Sequence, residues 1–261
     1  MSYPTLRLHP RKEESVLRFH PWIFSGAIAS FSAPVEDGDL VSVVDSKGHP
    51  LGTGHFGGGS IAVRLLSFDA EEVVDRAFYK RRLEAALRLR LSCDLVRPVG
   101  SSDSPNTTYR LVHGEGDSLP GLIIDIYDRT AVVQAHSLGM HQARQTIAEV
   151  LWEVFAEAGD PVLPLEGVYY KSETTLPTRD MRELASDGFL IGHTEAAPIY
   201  ENGVRFTPDW LKGQKTGFFI DQRDNRALVA HYAKGRTVLN AFCYTGGFSI
   251  YALHAGAKRV D

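Results

Sequence analysis

The sequence predicts a multidomain chain in which α+β architecture gives way to α/β architecture. Three observations predict it. Residues 1–70 carry short apolar runs cut by Gly and Pro turns. Residues 71–195 alternate strand-like runs with two helical periods. Residues 196–261 end on a strand, a Gly-Gly turn and a helix. These spans are read as three units: a closed β-domain, a linking helix with a strand-strand-helix-strand domain, and the start of a Rossmann-like unit.

Composition sets the outer limits. The 261 residues suffice for two or three cores at roughly 100–200 residues per domain. A 43% hydrophobic and 23% charged composition is that of an ordinary globular protein. No apolar run nears the ~18 residues of a membrane span, and the N-terminus lacks a signal peptide's apolar stretch. Two cysteines, Cys93 and Cys243, cannot build a disulfide framework, which points to the cytoplasm. The ten histidines fall outside metal-ligand spacing, so no metal is expected. The net charge of −4 is unevenly spread: residues 196–261 hold nine basic against five acidic residues. Local basic excess matters more for phosphate contacts than the total, because screening confines each charge to ~8–10 Å.

In the first unit, Asp39–Asp45, Leu51–Phe56 and Ile61–Leu66 read as strands. Gly57-Gly58-Gly59 lacks a following Lys-Ser/Thr and a helix, so it reads as a hairpin connection rather than a phosphate loop. Over 71–91, Val73, Val74, Ala77, Phe78, Leu83, Leu87 and Leu91 follow a helical period. Glu71, Glu72 and Asp75 at its start and Arg88 and Arg90 at its end complement the helix dipole. Lys80-Arg81-Arg82 has no such reason and is a candidate phosphate contact. After the loop 92–108, strands are expected at 109–113, 121–127, 130–136 and 168–171, with an amphipathic helix over 140–158 stopped by Gly159.

The chemistry concentrates in the last unit. Thr237 to Phe242 reads as a buried strand, Gly246-Gly247 as a tight turn, Phe248 to Ala255 as a helix, and Val260 as the start of a parallel strand. Side-chain-free residues let a ligand approach the backbone, and a helix N-terminus offers unpaired N–H groups to an anion. A plain architectural turn fits the same pattern.

Asn240-Ala241-Phe242-Cys243-Tyr244-Thr245-Gly246-Gly247-Phe248 resembles motif I of class I S-adenosylmethionine-dependent RNA methyltransferases, in particular the large-subunit rRNA 5-methylcytosine family. The stretch from Gly213 to Arg226, followed by a helix over Leu228 to Ala233, resembles that family's upstream segment. His20-Pro21-Trp22-Ile23-Phe24-Ser25-Gly26 is similar to its PUA domain, an RNA-binding β-barrel, and His113 to Leu122 to its central domain. The resemblance implies S-adenosyl-L-methionine as cofactor and RNA, large-subunit rRNA in particular, as partner. It implies that Asn240, Phe242, Thr245 and Gly246 line the cofactor's methionine part. Phe218, Asp221, Gln222 and Arg223 would border it. Core packing for Phe218 and Phe219, and helix capping for Asp221, stay open as alternatives. Arg11, Lys12 and Arg18 are candidate RNA phosphate contacts, whereas Trp22 reads as core.

Two departures stand out. Tyr244 occupies the first turn position, where Gly is commoner. The ribose-binding acid is expected about 20 residues after the glycine motif, yet Asp261 comes sooner and reads as mid-strand. The resemblance places the catalytic Pro-Pro motif and cysteine nucleophile beyond Asp261. Cys243, at the buried end of its strand, reads as packing. The chain thus reads as truncated within its catalytic domain and inactive alone. The alternative is a non-catalytic RNA-binding module. A homodimer is left open. The protein isolated from its natural source should weigh well above 28.8 kDa by intact mass spectrometry; a mass of 28.8 kDa favours the binding module.

Overall fold

The computed structural model describes residues 3–101, 103–177 and 186–261. Alternating apolar residues place Leu6, Leu8, Val41, Val43, Val63 and Leu65 on one face, where they form the first core. They lie on β1 (Thr5–Leu8), β4 (Leu40–Val44) and β6 (Ile61–Ser67), which join β2 (Trp22–Phe24), β3 (Ile28–Phe31) and β5 (Pro50–Phe56) in one sheet. Its order is β2-β6-β5-β4-β1-β3. The β1–β4 pair is parallel and the others antiparallel. The expected closed sheet is a half-barrel, left open between β2 and β3. The turn Ser25–Ala27 that joins them spends its backbone elsewhere: Ser25 N–H bonds Ser60 O, and Ala27 O accepts from His9. A short helix, α1 (Glu14–Leu17), sends Val16 into this core.

The linking helix α2 (Arg76–Ser92) starts later than its apolar period suggests, because Asp75 caps it by accepting the Phe78 N–H at 2.8 Å. Glu71 and Glu72 therefore precede the helix, and Val73 is exposed. Lys80, Arg81 and Arg82 find structural partners, which corrects the phosphate-contact expectation. Lys80 pairs with Glu153 and Glu157, while Arg81 and Arg82 pair with Glu72.

The central sheet contains β7 (Thr108–His113), β8 (Leu122–Tyr127), β9 (Thr130–Ala135), β10 (Gly167–Tyr170) and β11 (Gly188–Gly192), in the order β11-β10-β9-β8-β7. The β10–β9 pair is parallel, so the chain crosses over between them. That crossover is split into α3 (Leu138–Gln142) and α4 (Arg144–Ala158) rather than one helix. Phe78, Leu83 and Leu87 of α2 and Ile147, Leu151 and Phe155 of α4 cover one face. Arg90, expected to serve the helix dipole, is instead buried and pairs with Asp117, whose Oδ2 also accepts the His113 N–H at 2.6 Å.

Tyr127, Val132 and Tyr169 on the other face pack against Ile199, Phe206, Trp210, Phe218 and Tyr251. This second layer is built from a hairpin of β12 (Ile199–Glu201) and β13 (Val204–Phe206), followed by α5 (Arg223–Ala233), β14 (Thr237–Val238), α6 (Gly247–His254) and β15 (Arg259–Val260). Arg226 and Glu201 form a buried two-pronged pair at 2.8 and 2.7 Å. The same guanidinium donates to Phe219 O, and Tyr251 donates its hydroxyl to Glu201 O.

Two expectations change here. Helix α5 begins at Arg223 rather than Leu228, running on from a turn at Ile220–Gln222. The buried strand expected over 237–242 shrinks to β14, and Leu239 and Phe242 are exposed. The reason is that parallel strands are stable when covered on both faces, and β15 is the one strand paired with β14 among the described residues. No helix among the described residues is long and apolar enough to cross a membrane.

Two predictions follow from this packing. His55 of β5 is buried against Gly139 of α3, where an added Cβ would stand 2.2 Å from the ring. Burial, then the charge of Arg64, hold its imidazole down to about 4. The unfolded chain, with a histidine near 6.5, binds the extra proton first. Stability is therefore complete above pH ~6.5 and falls as pH drops toward 4, by on the order of 3 kcal/mol. Urea unfolding of His55→Gln should lack that component; an unchanged acid profile would contradict the assignment. Separately, Arg226→Met should cost about 3–5 kcal/mol by stranding the Glu201 carboxylate, and Glu201→Leu in the same chain should restore much of it. A loss below about 1 kcal/mol would contradict the role given to the pair.

Candidate functional site

Strand β8 turns two polar side chains toward the second layer. Asp125, fully buried, accepts Arg110 Nε and Nη2 at 2.8 and 2.9 Å and the Thr216 hydroxyl at 2.6 Å. A buried carboxylate is tolerable because it is paired and hydrogen-bonded. With its proton given to Asp125, Thr216 Oγ1 accepts from the Tyr127 hydroxyl at 2.9 Å, and that hydroxyl accepts the Phe218 N–H at 3.2 Å. Burial, then Asp125, push the Tyr127 phenol up, which keeps this proton in place. Just after β10, Lys171 Nζ donates to Trp210 O and Gly213 O at 2.8 and 2.7 Å. The segment 213–218 is thereby fixed to the central sheet.

Glycine is required twice in that segment. A Cβ on Gly213 would stand 2.2 Å from Asp209 O, and one on Gly217, at φ +120°, 2.6 Å from Trp210 Cα. The close approach at Gly213 brings in Tyr244, whose hydroxyl accepts the Gln214 N–H at 3.0 Å. Its ring also meets Phe219 edge-on at 5.2 Å. Tyr244 sits at φ +49°, a conformation costing a non-glycine residue roughly 1–2 kcal/mol. Its two contacts offset that cost and join the turn 240–246 to the upstream segment.

The turn opens onto a helix start. Gly246 lies at φ +75° with nothing within 4 Å of where a Cβ would be. No side chain caps α6, and its first ladder bond runs from Ile250 N–H to Gly246 O at 3.0 Å. The N–H groups of Gly247, Phe248 and Ser249 therefore stand outside the ladder. Asn240 donates Nδ2 to Ser249 Oγ at 2.8 Å, leaving Oδ1 as an acceptor. Beneath the turn, Gly247 lies against the Arg226 side chain.

Asn240, Thr245 and Gly246 thus share one turn, with Phe242 fully exposed at φ +59° beside them. Asp221 and Arg223 line a cavity of about 380 Å³ with Arg110, His113 and Cys93. Gln222 donates Nε2 to Asp221 Oδ2 at 3.1 Å and accepts from Asn225. Asp221 makes no helix-capping bond, so the capping alternative falls away. Phe218 is core, 4% exposed, with the Arg226 guanidinium 4.5 Å above its ring. Cys243 is exposed rather than packed, because the strand that was to bury it ends at Val238. Asp261 continues the β15 ladder, its N–H bonding Val238 O. Arg11, Lys12 and Arg18 are exposed around α1, without ion pairs among the described residues. Trp22 is half-buried rather than core, and donates Nε1 to Glu115 at 2.7 Å. Sequence reading missed Glu201, Asp125 and Lys171, whose partners lie tens of residues away and leave no spacing signal.

A model described as a PUA-like domain matches residues 6–68, and one described as an S-adenosylmethionine-dependent methyltransferase matches residues 177–261. The chain is 39% identical over 259 residues to ribosomal RNA large subunit methyltransferase I of Shewanella amazonensis, covering 98% of this chain and 61% of that protein. To the protein of the same name from Shewanella frigidimarina it is 40% identical over 261 residues, covering 98% and 62%. The chain spans about three-fifths of the length of these curated relatives. A solved structure assigned as a SAM-dependent methyltransferase from Streptococcus mutans has a TM-score of 0.77 at 23% identity, covering all of this chain and 62% of that one. Another, assigned as a methyltransferase and complexed with SAH, has a TM-score of 0.78 at 23% identity, with the same coverage. These two likenesses are of fold. The chain therefore joins a PUA-like domain to a segment of S-adenosylmethionine-dependent methyltransferase type, and is similar over 98% of its length to proteins named ribosomal RNA large subunit methyltransferase I.

Proposed function

We propose that this chain serves the transfer of a methyl group from S-adenosylmethionine to RNA, at carbon 5 of a cytosine in large-subunit rRNA. The observation that carries the reading is the open turn at Gly246, with three N–H groups outside the ladder and free space above the glycine. A carboxylate suits those donors, and Asn240 Oδ1 suits an ammonium. Thr245 and Phe242 belong to the same turn, Phe218 supports it from the core, and Asp221, Gln222 and Arg223 are proposed to border the bound cofactor from the upstream side. The residues present fit an amino-acid-bearing cofactor. When bound, S-adenosylmethionine supplies an electrophilic methyl on its sulfonium. The chain's own part is to orient it and to hold RNA, with Arg11, Lys12 and Arg18 as phosphate contacts on the PUA-like unit.

The protein from its natural source, given tritiated S-adenosylmethionine and large-subunit rRNA lacking the modification, should produce 5-methylcytosine on nucleoside analysis. Gly246→Val, which places a β-branched side chain at positive φ and fills the opening, should lower cofactor affinity at least about 100-fold. Label on another base would correct the substrate. Normal cofactor affinity in the variant would overturn the placement of the cofactor, and RNA binding without transfer would leave an RNA-binding module.

A further inference from the structure

A cavity of about 290 Å³ lies between the half-barrel and the central sheet, away from the glycine turn. The half-barrel contributes Trp22 and Arg64, which face each other in the β2–β6 register. The central unit contributes Arg110, Glu115, Gln134 and His136, and the upstream segment contributes Lys215. Two of these cations are unspent. The side chains of half-buried Arg64 and of Lys215 make no hydrogen bond or close ion pair among the described residues, although the Glu115 carboxylate acts on Arg64 through space. Arg110 is already committed to Asp125, and Glu115 to Trp22 Nε1. A partly desolvated guanidinium without a partner is costly, and the natural remedy is an anion. His136 stays neutral there, since partial burial, then Lys215, Arg110 and Arg64, hold its pKa down.

The shape favours a chain-like anion. Arg64 also lines a second cavity of about 320 Å³, bounded by Gly57, Gly58, Gly59 and Ser60, so the two cavities meet at one guanidinium. The triple glycine leaves one stretch of the second cavity's wall without side chains, with the Asp37 carboxylate beside Gly58 at its edge. The first has an aromatic wall in Trp22 and hydrogen-bonding groups in Gln134 and Glu115, as sites for single-stranded nucleic acid do. We propose that these adjoining cavities seat single-stranded RNA, with a backbone phosphate between Arg64 and Lys215 and a neighbouring base against Trp22. The proposal rests on the RNA-directed reading above and adds to it the place where the strand is held.

The test is fluorescence anisotropy of the natural protein with a single-stranded rRNA oligonucleotide, titrated across salt. Each single-strand phosphate contact contributes about 0.7 to the log–log slope, which amounts to about fivefold in affinity at 0.1 M salt relative to 1 M. Arg64→Gln and Lys215→Gln should each lose about fivefold and flatten the slope by about 0.7, while Lys47→Gln, on the β4–β5 turn, should do neither. Trp22→Leu should weaken binding with the slope unchanged. Thermal melting of each variant within the wild-type range shows that folding is intact; should Arg64→Gln melt early, the Lys215→Gln result decides. Wild-type RNA binding with unchanged affinity and slope in Lys215→Gln would overturn the proposal while leaving the RNA reading standing. Absence of wild-type RNA binding would overturn both. Inorganic phosphate binding that is lost in the variants, with RNA affinity unaffected, would make this a small-anion site and also overturn it.

Discussion

The buried pair of Glu201 and Arg226 is the constraint on which the candidate site depends. Its two partners come from the β12–β13 hairpin and from α5, and neither charge could be buried alone. Once paired, the guanidinium has donors and surface left over. It holds the Phe219 carbonyl, covers the ring of Phe218 and supports Gly247 from below. The backbone of Glu201 in turn receives Tyr251 from α6. One ion pair thus sets the relative positions of the upstream segment, the glycine turn and the helix that follows it.

A second network ties this layer to the central sheet. Arg110, Asp125, Thr216 and Tyr127 form a hydrogen-bonded chain that docks the segment carrying Lys215 onto β8. Lys171 fixes the same segment from β10. The central sheet is therefore a two-sided platform, with α2 and α4 on one face and the methyltransferase-type layer on the other. Fixing Thr216 and Gly213 positions Tyr244, and Tyr244 positions the turn. A platform of this kind holds the glycine turn in place although its own strand pair is short.

Most strands were legible because period-two alternation and Gly or Pro turns are local signals. β4 to β10 lie within a residue or two of where the pattern puts them, whereas the short β1, β2 and β3 gave no such signal. What the sequence concealed is non-local. The start of α2 was set by an Asp75 cap against a competing apolar period through Val73 and Val74. The short β14 reflects missing coverage on its faces, which the apolar run from Val238 to Phe242 could not reveal. In the site, the glycines at 213, 217 and 246 were visible as glycines, yet the reason for each is a neighbour or an opening that only the fold supplies. Phe218 illustrates the limit most clearly: a residue in a recognisable motif turned out to be the motif's support, buried under Arg226.

The central claim is that the backbone at Gly246 to Ser249 receives the carboxylate end of an S-adenosyl cofactor. A crystal structure of the protein from its natural source with S-adenosylhomocysteine tests it most directly. The account predicts ligand density whose carboxylate lies within hydrogen-bond reach of those N–H groups and whose ammonium faces Asn240 Oδ1. Ligand bound elsewhere, with the turn unoccupied, would contradict it.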